Sequence, residues 1–182
     1  MRWIGDPTVK RFLPTAFGAV IVLVVALETA APAAADPPSR TVDHVLTGFT
    51  LPAGSACAFD VVGVPSHGFT ARTAFSDGRV LLSVRLHGAY VNPATAKRYP
   101  TADNYRDLST TDANGIITGT ESGNTTWYFL PGEVGPFGIV QAPGALYHFV
   151  GSLSYTYDTV AGRATSFTFA GRVEDVCAAL SD

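Results

Sequence analysis

The chain has 182 residues, with 12 Lys+Arg against 15 Asp+Glu and a formal net charge of −3. That mild acidity, with no basic cluster, argues against nucleic acid or an anionic membrane surface as the partner. The 47% hydrophobic content is inflated by the first 35 residues, so it does not imply residence in a membrane.

Arg2, Lys10 and Arg11 form a positive start, followed by an apolar run from Phe12 to Leu27. Ala33-Ala34-Ala35 supplies the small-x-small pattern of a signal-peptidase site. Residues 1–35 are therefore expected to be a signal peptide cut near Ala35, and the protein to be secreted. The apolar run is shorter than the ~20 residues that span a bilayer, so no stable membrane insertion is expected. This leader holds Arg2, Lys10, Arg11, Asp6 and Glu28, which leaves nine basic and thirteen acidic residues in the rest.

Residues 36–41 read as a flexible lead-in, and 42–182 as a single domain of a size that supports a core. Short β-rich runs then alternate with Gly, Pro, Asn and Asp. Phe69–Phe75 and Arg79–His87 flank Ser76-Asp77-Gly78, a hairpin signal because glycine takes positive φ without a Cβ clash. A second hairpin is expected at Asn92-Pro93-Ala94-Thr95 and a third at Asp112-Ala113-Asn114-Gly115, leading into Ile116–Thr120. Thr125–Leu130 reads as another strand, with Trp127 and Phe129 on one face, and a Gly/Pro-rich loop follows over Pro131–Pro136. The longest strand is Ala145–Tyr157, where Tyr147, Phe149, Leu153, Tyr155 and Tyr157 alternate with polar residues. It turns near Asp158–Gly162 into Arg163–Ala170. Only Arg172–Leu180 reads as helix, with Val173, Val176, Cys177 and Leu180 on one side. The expected fold is all-β: one antiparallel barrel of about eight strands, of calycin or allene-oxide-cyclase type, with a short C-terminal helix. A β-sandwich is the alternative.

Cys57 and Cys177 are the only cysteines. In an oxidising compartment they are expected to form one disulfide. A metal or reactive thiol finds no support, because neither CxxC nor Cys-His spacing is present.

Several stretches resemble a family of secreted actinobacterial proteins to which no activity is assigned. They are Phe49-Thr50-Leu51-Pro52-Ala53-Gly54-Ser55-Ala56-Cys57-Ala58-Phe59, Asp77-Gly78-Arg79-Val80, Asn92-Pro93-Ala94-Thr95 and Glu174-Asp175-Val176-Cys177-Ala178-Ala179-Leu180. This chain departs from that family's pattern at Ala58 and Val176. The resemblance implies the compartment, the disulfide and the β fold, and brings no catalytic residues.

Chemistry is sparse. No GxSxG nucleophile motif is present, and no local His/Asp/Glu cluster has metal-ligand spacing, so neither a metal nor a cofactor is expected. Asp60, Asp103, Asp107, Glu121, Glu133 and Asp158 are candidate acids, most of them read as turn residues bonded to backbone amides. His67 runs in phase with Phe69 and is expected to point inward, whereas His87 and His148 are expected to face solvent. The strongest signal is aromatic. His67, Phe69, Trp127, Phe129, Tyr147, Phe149 and Tyr155 are the expected ligand-binding residues of a hollow barrel. The leading expectation is a secreted, non-catalytic binding barrel for an apolar small molecule or lipid. Alternatives are an extracellular or envelope interaction protein working through its surface or loops, and a cyclase or isomerase-like enzyme using an interior His or Tyr.

Overall fold

A computed structural model describes residues 36–181 apart from 45, 46 and 142. The expected signal peptide, residues 1–35, lies outside the described residues. The strands are β1 (Ser39–His44), β2 (Phe49–Leu51), β3 (Val61–Ala74) and β4 (Val80–Val91), followed by β5 (Arg98–Thr111), β6 (Ile116–Phe129), β7 (Ala145–Asp158) and β8 (Arg163–Asp175). Among the described residues one α-helix, α1, covers Val176–Leu180, and a 3-10 turn covers Pro136–Gly138. All pairings are antiparallel within one sheet, in the order β1-β3-β4-β5-β6-β7-β8, with β2 also on β3. The eight antiparallel strands and the short C-terminal helix are as expected. No ladder among the described residues joins β8 to β1, so the sheet is open. No helix among them is long and apolar enough to cross a membrane.

The turns fall where the sequence places them, and the strands run longer than expected. Gly78 and Gly115 adopt φ of 83° and 80°, the left-handed backbone their hairpins require. Three boundaries differ. Ser39–Thr41, expected as lead-in, already pair with Ala74–Arg72 of β3. Ile116–Thr120 and Thr125–Leu130 belong to one strand, β6, continuous to Phe129. Arg172–Asp175 is strand, not helix, because it completes the ladder with Tyr147–Val150. The helix starts only where Asp175 caps it, its carboxylate accepting from the Ala178 amide at 2.9 Å.

Three glycines bend the sheet. Gly123, Gly151 and Gly171 lie directly opposite one another across β6, β7 and β8. Their φ values are 126°, 147° and 138°, backbone that side chains rarely permit. A Cβ on any of them would stand 2.2 Å from a carbonyl oxygen of the neighbouring strand. The row is therefore a transverse crease on which all three strands turn together.

The sheet carries two cores, the first of which spans this crease. One gathers Phe129, Phe149, Leu153 and Phe167, with Trp127, Tyr147, Tyr155 and Phe169 packed against it. The other gathers Ala56, Cys57, Val61, Leu146, Val176 and Leu180. Cys57 and Cys177 stand at disulfide distance, with Cα atoms 5.5 Å apart, and join the segment before β3 to α1. Closing so long a loop stabilises by roughly 4–5 kcal/mol on the chain-entropy account.

Candidate functional site

The strand register lays out the inner face as rows. Leu82, Asp107, Glu121, Leu153 and Phe169 form one row across β4 to β8. Ser109, Gly119, Tyr155 and Phe167 form the next. Asp107 and Glu121 are thus direct cross-strand neighbours, an arrangement in which like charges repel. Both are buried, at 8% and 4% exposure, as is Asp103 at 8%. The sequence pattern suggests turns for these acids. They lie instead inside β5 and β6, where alternation directs them to the interior.

Gly119 makes the site's main contact possible. With no side chain there, the Tyr155 ring crosses β6, passing 2.4 Å from where a Cβ would stand. Its hydroxyl then reaches β5 and donates to Asp107 Oδ2 at 3.0 Å. Trp127 packs on Tyr155 with centroids 4.9 Å apart, and its indole N–H points at both Glu121 oxygens at 3.4 and 3.5 Å. Asp107 Oδ1 is out of water and has no hydrogen-bond partner. Such an oxygen loses its hydration without recompense, which costs about 1–3 kcal/mol or more.

Burial sets the protonation of this row. It lifts the Glu121 carboxyl to about 8, aided by the charge of Asp107 and opposed by donors on Thr125 and Trp127. Burial likewise lifts Asp107 to about 6 against hydrogen bonds from Tyr155 and Ser109. Asp103 also rises to about 6, with Thr126 opposing. At neutral pH the row therefore holds a protonated Glu121 beside a largely ionised Asp107, one donor and one acceptor across a strand pair.

Asp103 leads to a second polar group. The β5–β6 ladder ends at Asn104 and Asn124. Beyond that point Tyr90 and Tyr99 pack into the same core as Tyr128 and Leu146, which lie on the opposite face of β6 and β7. The divergence encloses His148, which is part-buried rather than solvent-facing as expected. Its Nδ1 lies 3.0 Å from the Thr126 hydroxyl, itself 3.0 Å from Asp103 Oδ1. Burial lowers the His148 pKa. Tyr99 donates to Glu174 at 2.5 Å on the flank of this group.

The expected ligand-binding residues divide. Trp127, Phe129, Tyr147, Phe149 and Tyr155 come together in one aromatic cluster, ring centroids 4.9–6.2 Å apart. Phe129 and Phe149 are almost wholly enclosed by their neighbours. His67 and Phe69 lie on the other face of the sheet. A bulge between Pro65 and His67 shifts the register, so His67 is exposed and faces His87 instead of the aromatic interior. Two hollows on the described surface, of about 340 and 410 Å³, are both open. One lies beside the disulfide and the other beside Phe49 and Pro65.

The long β6–β7 connection presents a different feature. Buried Glu133 accepts from the amides of Leu130 at 2.6 Å and Ala164 at 3.2 Å, and Val134 bridges Val140. This frame displays Phe137, Ile139 and Val140 at 75%, 59% and 58% exposure. Phe137 is held at φ 65°, a conformation costing a side-chain-bearing residue about 1–2 kcal/mol. Neither the crease nor the tip stands out in the sequence, although Phe137 directly follows the Pro131–Pro136 loop. Comparison with protein-family models, curated proteins and solved structures finds no match to this chain.

Proposed function

We propose that this protein holds a small organic molecule within its curled sheet. The apolar body of the ligand lies against Trp127 and Tyr155, and a hydroxyl or amine on it donates to Asp107. The observation carrying this reading is the buried, unpartnered Oδ1 of Asp107 beside Glu121. Two buried carboxyls side by side do nothing for an aromatic core, and a donor-bearing ligand would satisfy them. The apolar small molecule or lipid expected from the sequence becomes an amphipathic ligand. In this reading the working form is a barrel of the calycin or allene-oxide-cyclase kind, entered at the seam between β1 and β8. Its setting is extracellular, in keeping with the disulfide.

Native mass spectrometry of the protein from its own host, with a denatured control, tests this. The expected result is an added mass in the native spectrum that disappears on denaturation and is missing in Asp107→Asn. A bare native mass overturns the reading. The same Glu121–Asp107 pair supplies an acid and a base at neutral pH, as a cyclase or isomerase requires. Release of the captured molecule in altered form would separate conversion from holding.

A second reading rests on the exposed tip. From Val134 to Tyr157 the chain carries no Asp, Glu, Lys or Arg, and Phe137, Ile139 and Val140 stand in water at its start. A rigid, uncharged apolar tip suits an interaction protein of the cell envelope. Co-sedimentation with host envelope fractions that is lost in Phe137→Asp would support it, and equal sedimentation of both proteins would count against it.

A further inference from the structure

We propose that His67 and His87 form a surface chelate for a divalent transition metal, with copper(II) preferred over zinc(II). The two residues are directly opposite on β3 and β4. Their rings lie parallel, 4.5 Å between centroids and 12° between planes, and both are exposed. The bulge between Pro65 and His67 creates the pair, because without it His67 would turn to the inner face with Gly63 and Pro65.

Ser66, at the bulge, fixes the chemistry of His67. Its hydroxyl donates to the backbone carbonyl of His87 at 3.0 Å. With that hydrogen committed, the contact of 3.1 Å between Ser66 Oγ and His67 Nδ1 needs the imidazole to donate. His67 therefore carries its proton on Nδ1 and leaves the Nε2 lone pair free. A metal-binding histidine is held in this way, its second ring nitrogen donating to an oxygen that sets tautomer and orientation. With His67 held by Ser66, the exposed His87 ring turns about its Cβ–Cγ bond at little cost to meet the same ion, since cross-strand neighbours have Cβ atoms about 5 Å apart.

No group of three or more His, Cys, Asp or Glu among the described residues is placed to hold a metal. The chelate is thus two imidazoles, with water completing the coordination. Imidazole donors suit copper, nickel and zinc, and the order of divalent affinities places copper(II) first. Magnesium and calcium, which take oxygen ligands, should not bind here.

Isothermal titration of the full, disulfide-intact chain with copper(II) chloride, then separately with zinc(II) chloride, tests the site. The expected result is one copper ion bound more tightly than zinc. His67→Gln and His87→Gln should each weaken copper at least about tenfold, the lower bound for losing even an outer partner of a metal ligand. His44→Gln and His148→Gln should leave it unchanged. The rings of His44, His67 and His87 are exposed, so far-ultraviolet circular dichroism should show those variants folded, and the same spectrum shows that His148→Gln, whose ring is part-buried, is folded before its copper binding is read. The double variant His67→Gln/His87→Gln measures any background from the chain terminus. Copper binding equal in wild type and double variant overturns the proposal, as does loss of binding in His44→Gln or His148→Gln.

Discussion

Two groups share the inner face of this sheet and obey opposite physics. The aromatic cluster of Phe129, Phe149, Leu153 and Phe167 gains from every contact that excludes water. The carboxyl row of Asp107 and Glu121, which runs directly into Leu153 of that cluster, loses from the same exclusion and answers with raised proton affinity. Trp127 and Tyr155 belong to both, packing as rings while their polar atoms reach the acids. A sheet that needed only stability would have continued the aromatic pattern. The row marks where it departs from that aim.

The largest effect should come from the crease that orients both groups. Gly151→Val places side-chain atoms against the Ala170 carbonyl at a φ of 147° and should cost ~4 kcal/mol or more, or abolish folding. Soluble yield and thermal unfolding would show it, and a cooperative transition near that of wild type would disprove the role of the crease. Next, Phe149→Ala should cost about 3–5 kcal/mol by denaturant unfolding, independent of pH.

The acids should behave in the opposite sense. Folded pKa values of Glu121, Asp103 and Asp107 lie above those of the unfolded chain, so the folded state binds the extra protons. Their stabilising protons are fully present below about pH 4 and are lost as pH rises, through about 6 for the aspartates and about 8 for Glu121. His148, whose pKa is lowered, works the other way and weakens the fold as pH drops below 6.5. Melting temperature should therefore decline between pH 6.5 and 9. Glu121→Gln should flatten that decline and stabilise at pH 9 by a few kcal/mol, since each tenfold change in proton affinity is worth about 1.4 kcal/mol. A variant with an unchanged pH profile would refute the burial of charge.

Smaller effects should refine the contrast. Tyr155→Phe keeps the ring but removes one of the two hydroxyl donors to Asp107, leaving Ser109, at about 1–2 kcal/mol and more at pH 8 than at pH 5. Phe137→Gly removes an exposed ring from left-handed backbone and should fall within about 1 kcal/mol of wild type, on the stabilising side.

Local features of this fold are legible in the sequence and transverse ones are not. Asp77-Gly78 and Asn114-Gly115 announce their turns through backbone chemistry contained in two residues. Alternation from Tyr147 to Tyr157 announces the aromatic face in the same local way. Gly123, Gly151 and Gly171 sit on three strands, and nothing in the linear order shows that they align. Asp107 and Glu121 read as turn residues because isolated acids are depleted in strands, a preference that tertiary context overrides here. The phase of His67 with Phe69 points to the wrong face because a single extra residue at the bulge reverses every side chain after it. Alternation alone puts His148 in solvent, because the separation of β5 from β6 leaves no trace in either strand's own sequence.

The link from Cys57 to Cys177 has a consequence for the displayed tip. Phe137 and its neighbours lie within the span that this bond closes. A protease cutting at the tip would sever the backbone between β6 and β7 without releasing either piece. The nicked protein would keep its whole mass plus one water, and it would separate into two fragments only after reduction.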